Sequence, residues 1–489
     1  MKVCLLNAPW EEQDKWGIRA GCRFPNLMPK GHNSYVPFPF LLAYTASYLE
    51  SKGSQVLVID GVAERCGAEV ALHRIRDFKP DLVIAETAAT SLRYDQRFLE
   101  RVRSGVPGVK IALYGSHVTT LPHEGMDSPA VDFVIRGEPE LTAHELILAA
   151  EDGQIYGSVD GLAWRDSAGK VVLNRPRAPM KEIEALPYPK REGMPLDRYN
   201  VPGFPSPVVF MYGSRGCPYK CTFCLWPQTI FGDKPYRARE PEKIVEEMAH
   251  VLETYPQTRS FFFDDDTFNL GRARVLRFAD EMKRRGIKVP WGMNARADNW
   301  DREMLERLIE TGLFTLRIGI ESGDQAVLDK TKKDLNLEGA RRMLEMSDGL
   351  GISNHVSFII GLEGETWESV DRTVKYIKTL PVDSVQFSVA APFPGTGLHK
   401  LAEDKGHLTT KDWTRYNGAH NAVMRTDAMS TDEVMRALRS ARRRVYFSPR
   451  FVKRRLSFIR NWRDLAAISR KAMSLVVPRA GLKPARTHA

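Results

Sequence analysis

Two rounds of alternating strand and helix patterns run along this 489-residue chain, one before residue 150 and one after residue 206. In the first round, short apolar segments bounded by turn or polar residues alternate with helical patterns, which predicts a doubly wound parallel sheet. The predicted strands are Lys2–Ala8, Gln55–Asp60, Asp81–Glu86, Lys110–Tyr114 and Val131–Arg136. Ligands of such sheets bind beyond the carboxyl ends of the strands, and those ends are rich here in small and hydroxyl-bearing residues.

The second round contains six strand patterns, each followed by a helical pattern, which predicts a partial (β/α)6 barrel. The predicted strands are Val208–Tyr212, Ser260–Phe263, Val289–Met293, Thr315–Ile320, His355–Ile360 and Ser384–Val389. Catalytic groups of barrels lie at the carboxyl ends of the strands. The residues that follow the first five strands are three cysteines between 217 and 224, Asp264 to Asp266, Asn294 with Arg296, Glu321 with Ser322, and Gly361.

These patterns divide the chain into four regions. We expect a Rossmann-like domain in residues 1–150, a connector in 151–205, the barrel in 206–400 and a helical, basic region in 401–489. Within the connector, Gly161–Asn174 alternates around a turn and predicts a hairpin, and the prolines after it predict an extended, stiff segment. The predicted fold class is α/β with two separate parallel sheets.

The composition indicates a globular protein, and we expect a cytoplasmic one. Hydrophobic residues make up 43% of the chain, which is enough for sizeable cores. The six cysteines form no disulfide framework, as is typical of a reducing compartment. No secretory signal pattern opens the sequence, and no apolar stretch reaches the roughly 18 residues that span a bilayer.

Positive charge is concentrated at the C-terminal end. Residues 441–489 hold fourteen Lys or Arg residues and one acid, Asp464. Apolar residues recur at helical spacing among these charges, at Val452, Leu456, Ile459, Trp462 and Ala466. One interpretation is a helix on an anionic membrane surface that buries the side of Phe458, Ile459 and Trp462. The other is a helix packed on the barrel with a solvated basic face. Nothing in the rest of the chain indicates a nucleic-acid partner.

Three cysteines, Cys217, Cys221 and Cys224, follow the first strand of the barrel, and no cysteine comes after them. Thiolates are the ligands of iron–sulfur clusters, and a four-iron cluster normally takes one cysteine per iron. Three cysteines therefore leave one iron open for a ligand that is not protein. The alternatives are a zinc site or three buried thiols, but zinc sites usually supply four ligands in paired Cys-x2-Cys spacing.

The Cys-x3-Cys-x2-Cys run at this position resembles the signature of radical S-adenosylmethionine (SAM) enzymes. The resemblance implies that the open iron chelates the amino and carboxylate groups of SAM, and that an electron from the cluster cleaves SAM to a 5′-deoxyadenosyl radical. It also implies a SAM site made of Phe223, Asp264, Asp265, Asp266, Asn294, Arg296, Glu321, Ser322 and Gly361.

Several of these residues have alternative interpretations. In the family, an aromatic residue at the position of Phe223 packs on adenine, but plain packing is an equal alternative. One of the three aspartates would accept hydrogen bonds from the SAM amino group, whereas alone they could form a helix cap or a magnesium site. Glu321 and Ser322 would contact the ribose or methionine of SAM, or simply form a turn. Gly361 would allow close backbone approach to adenine.

The segments Tyr114–Pro122 and Val131–Glu140 resemble the cobalamin-binding domain that precedes many radical SAM barrels. The resemblance implies cobalamin contacts from Thr87, Thr90, Ser91, Gly115, Ser116, His117, Thr120, Gly137 and Glu138. The pattern Asp-x-His-x-x-Gly, which supplies an axial histidine in better-known cobalamin proteins, does not occur. We therefore expect His117 to contact the edge of the cofactor or to be structural, rather than to ligate the metal.

Three runs, Cys224–Thr229, Phe262–Phe268 and Ala391–Gly397, are similar to hopanoid-biosynthesis-associated members and to the anaerobic magnesium-protoporphyrin ester cyclase group. The resemblance implies three cofactors: a 4Fe-4S cluster, SAM and cobalamin. It implies C-methylation of a hydrophobic metabolite, with methylcobalamin as methyl donor and a flavodoxin or ferredoxin as electron donor. The alternative is radical cyclisation, ring rearrangement or oxidation of a lipid or tetrapyrrole. A third hypothesis, a cobalamin-sensing protein with a degenerate barrel, conflicts with the intact cysteine triad.

Overall fold

The computed structural model describes residues 1–12, 15–19, 25–29, 35–153, 155–232 and 236–456. Two mainly parallel sheets with flanking helices account for most of this part of the chain. They correspond to the two rounds of strand–helix alternation, and the predicted α/β fold class is confirmed.

The first sheet has the strand order β10-β9-β8-β7-β6-β1-β5. The strands of this region are β1 (Lys2–Asn7), β2 (Glu11–Glu12), β3 (Lys15–Ile18), β4 (Asn26–Pro29), β5 (Gln55–Asp60), β6 (Leu82–Glu86), β7 (Lys110–Tyr114), β8 (Phe133–Ile135), β9 (Leu162–Arg165) and β10 (Val171–Leu173). Its helices are α1 (Phe40–Ser51), α2 (Ala68–Phe78), α3 (Leu92–Gly105), α4 (Ser116–Thr120), α5 (Pro122–Gly125) and α6 (Pro139–Glu151). Strand β6 is buried along its whole length, as expected where helices cover both faces of a parallel sheet.

All five strands that the sequence predicts for this sheet are present and run parallel. The hairpin predicted in the connector is also present, but it belongs to the sheet. Strand β9 pairs antiparallel with β8, so that Phe133 faces Trp164 and Ile135 faces Leu162. Because Leu162 and Ala163 are fully buried, the hairpin completes the core of the first domain instead of bridging to the second. Strands β2, β3 and β4 form a separate small antiparallel sheet.

The second sheet has six parallel strands in the sequential order β11-β14-β15-β16-β17-β18, the arrangement of the predicted partial barrel. The strands are β11 (Val208–Met211), β12 (Ser214–Arg215), β13 (Arg237–Ala238), β14 (Ser260–Phe263), β15 (Trp291–Ala295), β16 (Leu313–Glu321), β17 (Ser353–Ile360) and β18 (Ser384–Val389), where β12 and β13 form a separate pair. The helices are α7 (Leu225–Gln228), α8 (Pro241–Thr254), α9 (Arg272–Arg284), α10 (Arg302–Glu310), α11 (Gln325–Lys330), α12 (Leu337–Gly349), α13 (Trp367–Thr379) and α14 (Gly397–Asp404).

The two sheet regions share an apolar core. Phe38 precedes α1, and Phe40 is its first residue. They pack with Phe210 of β11 and with Tyr212, the residue after β11. The rings of Phe40 and Tyr212 stack with their centroids 3.7 Å apart. Buried aromatic pairs of this kind hold the carboxyl side of the first domain directly against the barrel.

A buried ion-pair network crosses the same interface. Arg215 donates to Glu138 over 2.8 Å and to Glu140 over 2.6 Å, and Arg237 donates to Glu138 over 2.7 Å. The side chains of Arg215, Glu138 and Glu140 are at most 6% exposed. Both glutamates belong to the first domain and both arginines to the β12–β13 pair, so the network fixes the domains' relative position.

The C-terminal helices lie against the barrel. Helix α15 (Thr431–Tyr446) buries Val434, Leu438 and other apolar residues against the barrel core, and α16 (Pro449–Leu456) follows it. Arg454 of α16 forms an ion pair of 2.6 Å with Asp383. The apolar stripe predicted for the tail begins in α16, but its residues Phe458, Ile459, Trp462 and Ala466 lie outside the described residues. Within the part of the chain that is described, no helix has the length and apolar character to cross a membrane.

Candidate functional site

The three cysteines lie on one loop that leaves the barrel directly after β11. Gly213 opens this loop, and its N–H donates to the Asp265 carboxylate over 3.0 Å. The Cys224 N–H donates to the Cys221 carbonyl over 3.1 Å, which closes a turn before α7 begins. Cys221 is buried, whereas Cys217 and Cys224 are half-buried. The cluster loop, residues 213–224, therefore carries all three cysteines at the carboxyl end of β11.

The donor set of the cluster loop fits an iron–sulfur cluster better than a single metal ion. Nowhere in the described ranges do three or more His, Cys, Asp or Glu side chains converge to hold one ion. In a four-iron cluster each cysteine binds a different iron, so convergence on one point is not required. Burial raises the pKa of the Cys217 thiol to about 11, and coordination to iron would remove that proton.

Gln228, at the end of α7, organises the backbone of the cluster loop. Its side-chain nitrogen lies 3.1 Å from the Cys221 carbonyl, 3.3 Å from the Thr222 carbonyl and 2.5 Å from the Cys224 carbonyl. Its side-chain oxygen accepts from the Gly397 N–H over 2.9 Å. We did not predict this residue from the sequence, although it lies in the run Cys224–Thr229 that carries the family resemblance.

Arg296, the residue after β15, supports the cluster loop from two strands away in the sheet. Its guanidinium lies 3.5 Å from the centre of the Tyr219 ring, a close cation–π contact. The same guanidinium pairs with Asp298 through two hydrogen bonds of 2.7 and 2.8 Å and donates to the Lys333 carbonyl over 3.0 Å. The structure thus brings Arg296 to the predicted site, where it holds the loop.

The three aspartates after β14 have different environments. Asp265 is fully buried and accepts from the Gly213 N–H and the Ser214 hydroxyl; burial raises its pKa to about 6 despite these donors. Asp264 accepts from the Asn294 amide over 2.7 Å and from the Tyr35 hydroxyl over 3.0 Å. Asp266 is half-buried, and its charge is one of the groups that raise the pKa of Cys217. Asp266 thus differs from Asp264 and Asp265 in that its charge acts on a cysteine of the cluster loop.

Glu321 and Ser322 mark an unusual exit from β16. Glu321 has φ of 74°, a left-handed conformation that is rare outside glycine, and the pairing register between β16 and β17 shifts beside it. Its carboxylate accepts from Lys333 over 3.3 Å. Burial lowers the pKa of Lys333, but the charges of Glu321 and Cys221 outweigh burial and the net shift is upward. Ser322 accepts from the Asp324 N–H and stabilises the turn.

Lys333 thus pairs with Glu321, and no sequence pattern indicated it. It stands in a charged run, Lys330 to Asp334, which gives no indication that one of its lysines is buried. Only the tertiary structure brings this loop to the carboxyl end of the barrel.

Gly361 and Phe223 lie beside an apolar patch. Phe223 packs against a cluster that includes Ile359, Leu362 and Leu398, a surface suited to the face of an aromatic base. Gly361, with φ of 91°, donates its N–H to the carboxylate of Glu365. Glu365 is fully buried, and burial raises its pKa to about 8.

The strand ends of the first sheet carry a buried polar network. Thr87 and Ser91 each donate to the Asp95 carboxylate over 2.7 Å, and Arg19 pairs with the same carboxylate over 2.7 Å. Thr90 donates to the Pro25 carbonyl over 3.3 Å. The predicted cobalamin contacts Thr87 and Ser91 therefore also support the ends of β6 and α3.

Gly115 and His117 begin the segment after β7. A side chain at Gly115 would place its Cβ 2.1 Å from the Thr87 carbonyl oxygen, and its φ is 136°. His117 is buried, with Nε2 3.0 Å from the Glu124 carboxylate and its ring 5.1 Å from that of Trp413. These contacts favour the structural alternative for His117.

The remaining predicted cobalamin contacts lie at the domain interface. The Gly137 N–H donates to Thr119 over 3.0 Å, and Thr120 lies in α4 with Ser116 as its first residue. Both carboxylate oxygens of Glu138 accept from the barrel arginines described above, so its observed role is to join the domains. Of the predicted cobalamin contacts, Thr120, Gly137 and Glu138 thus lie against residues of the barrel half.

A cavity of about 260 Å³ lies between this edge and the residues that follow the cluster loop. Its lining includes Thr119, Gly137 and Arg136 from the first domain and Thr229 and Ile230 from the barrel. The carboxyl end of the first sheet is the position expected for a ligand of a doubly wound domain. The cavity thus lies at the junction of the two domains, beside the residues that follow the cluster loop.

Comparisons with known proteins agree with this arrangement. The radical SAM superfamily matches residues 211–377, and the B12 binding domain matches residues 34–147. An uncharacterized methyltransferase of Pyrococcus horikoshii is 31% identical, over 84% of this chain and 88% of its own. The anaerobic magnesium-protoporphyrin IX monomethyl ester cyclase of Rubrivivax gelatinosus is 27% identical, over 85% of this chain and 75% of its own.

A solved structure shows the same fold. The radical SAM methyltransferase TsrM from Kitasatospora setae, with cobalamin and a 4Fe-4S cluster bound, superposes with a TM-score of 0.69. The match covers 91% of this chain and 97% of that one at 18% identity. The expected cofactors, a 4Fe-4S cluster, SAM and cobalamin, are confirmed by the two matching domains. With a cysteine triad at the mouth of one sheet and a B12-binding sheet packed against it, this chain belongs to the cobalamin-dependent radical SAM enzymes.

Proposed function

We propose that this enzyme transfers a methyl group to an unactivated carbon of a small, hydrophobic molecule. The observation that carries the proposal is that the carboxyl edge of the B12-binding sheet faces the cluster loop across the domain interface. When bound, the cluster and SAM supply a carbon-centred radical by hydrogen abstraction, and cobalamin supplies a methyl group that a second SAM restores. A site in which both chemistries meet one substrate is what such a reaction needs.

Different residues of the chain would hold the different parts of SAM. Asp266 would accept hydrogen bonds from the amino group of SAM, and Glu321 and Ser322 would contact its methionine or ribose. Phe223 and the apolar patch beside Gly361 would bind adenine and exclude water. The triad of Cys217, Cys221 and Cys224 would hold the cluster; in the first domain, Gly115 and the strand ends around it would contact cobalamin.

We propose domain limits close to those expected, namely a cobalamin domain that begins at residue 1 and a barrel in 206–400. The sheet contacts of β9 and β10 support an extension of the first domain to about residue 174.

A flavodoxin or ferredoxin would supply electrons, because SAM cleavage at the cluster is reductive.

Radical cyclisation or ring rearrangement is the second candidate, and the similarity to the Rubrivivax gelatinosus cyclase favours it specifically. Mass spectrometry of lipid and pigment extracts from cells with and without this gene tests both. Methyl transfer predicts loss of species heavier by one methylene unit, and the purified enzyme should form S-adenosylhomocysteine together with 5′-deoxyadenosine. Cyclisation predicts an accumulated unmodified precursor and no S-adenosylhomocysteine. Formation of neither product by an iron-replete, cobalamin-loaded enzyme would contradict both candidates.

We also propose peripheral contact with anionic membranes through the C-terminal helices. Phe447, Val452 and Leu456 are 45, 37 and 51% exposed, and Arg443, Arg444 and Lys378 line a groove beside Phe447. Exposed apolar side chains on a helix that also carries basic residues are typical of membrane-surface helices.

Sedimentation with vesicles of phosphatidylcholine, with and without phosphatidylglycerol, tests this contact. Val452→Ser with Leu456→Ser should reduce binding to the anionic vesicles at low salt. Unchanged sedimentation would contradict membrane contact at this surface. Removal of residues 441–489 is a poorer test, because Ala441 and Val445 belong to the barrel core.

A further inference from the structure

The cluster loop is tied to a second loop that lies between the two domains. We call residues 391–397, which follow β18, the bridging loop. The side-chain oxygen of Gln228 accepts from the Gly397 N–H over 2.9 Å, and the Leu398 N–H donates to the Thr222 carbonyl over 2.8 Å. Two hydrogen bonds thus join the end of the bridging loop to the cluster loop and to the residue that organises it.

The other side of the bridging loop meets the B12-binding domain. An added Cβ at Gly395 would lie 2.5 Å from the Thr120 hydroxyl and 2.8 Å from the Thr229 methyl group, so the backbone runs in direct contact with both domains. Phe393 is buried in the apolar core that the domains share. Because Thr120 lies in α4, directly after β7, the bridging loop touches the edge of the sheet where cobalamin is expected.

Gln228 forms hydrogen bonds with both the cluster loop and the bridging loop. Its amide nitrogen has only two hydrogens, and three carbonyl oxygens, those of Cys221, Thr222 and Cys224, lie within 2.5 to 3.3 Å of it. The Thr222 carbonyl has a second donor, the Leu398 N–H, and the Cys221 carbonyl accepts from the Cys224 N–H. A neutral side chain with both donors and an acceptor therefore fits this position best.

We propose that Gln228 is a positioning residue that locks the cluster loop onto the bridging loop and so sets the cluster's electrostatic environment. Hydrogen bonds and net charge around a cluster set its reduction potential, and residues that orient metal ligands affect binding and activity through them. The inference rests on the family's cofactors, but it does not depend on which substrate is used or on methyl transfer.

Two substitutions separate the donor and acceptor roles. Gln228→Glu keeps the shape and the acceptor for Gly397, but it replaces the donor by a negative charge that faces three carbonyl oxygens. Gln228→Leu removes both roles without adding charge. The matched control is Gln257→Glu, because Gln257 is exposed on the loop after α8.

The experiment uses full-length protein reconstituted with iron, sulfide and hydroxocobalamin. The readouts are iron retention, the electron paramagnetic resonance spectrum of the reduced cluster, its midpoint potential, and formation of 5′-deoxyadenosine. Gln228→Glu should shift the midpoint potential to more negative values, because added negative charge disfavours reduction, and should lower SAM cleavage roughly 10- to 100-fold. Gln228→Leu should lower cleavage comparably with a smaller shift, and Gln257→Glu should behave as wild type.

A wild-type spectrum, midpoint potential and iron content in Gln228→Glu would overturn the proposal. If the Glu variant does not fold, wild-type values of the same three quantities in Gln228→Leu would overturn it instead. A purely structural role would lower iron content in proportion to folded protein and leave the potential of the remaining clusters unchanged, which would also contradict the proposal. A wild-type enzyme that cleaves SAM without methyl transfer would contradict the proposed function but leave this proposal intact.

Discussion

Loss of Arg215 should destabilise the protein strongly, because it leaves buried carboxylates without their partner. We consider Arg215→Met, which keeps the length and apolar stem of the side chain but removes the guanidinium. Glu138 would keep Arg237 as a partner, whereas the one ion pair described for Glu140 is with Arg215. Burial raises the pKa of Glu138, but Arg215 and Arg237 outweigh it and the net shift is downward, which shows how much the carboxylate depends on them.

The expected magnitude follows from the burial of the group. Removal of one partner from a buried ion pair typically costs about 3–5 kcal/mol, and Arg215, Glu138 and Glu140 are all too buried for water to screen the remaining charges. We therefore expect Arg215→Met to lower the free energy of unfolding by about 3–5 kcal/mol at pH 7.

Urea unfolding of the purified protein, followed by tryptophan fluorescence and by cobalamin absorbance, measures this loss. Arg175→Met is the matched control: Arg175 pairs with Asp160 over 2.8 Å, but it is 81% exposed, so its loss should be nearly neutral. Arg215→Met combined with Glu140→Gln should recover much of the stability, because the unpaired charge is gone. If Arg215→Met were as stable as the Arg175 control, the interface would not depend on the buried network.

Three further predictions concern the site. Cys221→Ala should abolish 5′-deoxyadenosine formation and release iron while cobalamin still binds, whereas Cys66→Ala should retain both; iron analysis and product chromatography distinguish them. Gly115→Ala should weaken cobalamin binding and lower the free energy of unfolding by about 3 kcal/mol or more, because the new Cβ meets a backbone oxygen. Its control is Gly53→Ala, where φ is also positive but the space is open. The control should cost only about 1 kcal/mol and leave absorbance titrations with hydroxocobalamin unchanged. Burial raises the pKa of Glu365 from 4.5 to about 8 in the folded protein. The free energy of unfolding of the wild type should therefore fall, relative to Glu365→Gln, by up to about 1.4 kcal/mol per pH unit as the pH rises from 5 to 8. Parallel pH profiles of the two proteins in urea unfolding would contradict this.

The sequence predicted the main strands of both sheets because they are short, apolar and bounded by turn residues. It also predicted where the chemistry lies, because parallel strands bring their carboxyl ends to one edge. The roles of individual aspartates could not be predicted: Asp264, Asp265 and Asp266 are adjacent in sequence, and only their burial and partners distinguish them.

Residues that act across domains could not be found from local patterns. In the sequence, Glu138 lies after a strand and was predicted to contact cobalamin. In the structure, its carboxylate accepts from two arginines about 80 and 100 residues away. Gln228 lies in a run that carries the family resemblance and Lys333 in a charged run, but neither pattern indicates what these side chains contact. Gln228 accepts from the Gly397 N–H far along the chain, and Lys333 donates to Glu321 at the end of β16. Their roles therefore become visible only from tertiary distances.

The shared apolar core has a consequence for how this architecture can be modified. Phe38 and Phe40 belong by sequence to the B12-binding half, but they pack with Phe210 and Tyr212 of the barrel. A chain cut between the halves would expose both sets of aromatic rings to water. The enzyme is therefore not a fusion of exchangeable modules. A chimera that takes its cobalamin domain from a relative must carry matching aromatic residues on both sides of the domain interface. Without them, we expect its two halves to expose these rings and aggregate before any cofactor is loaded.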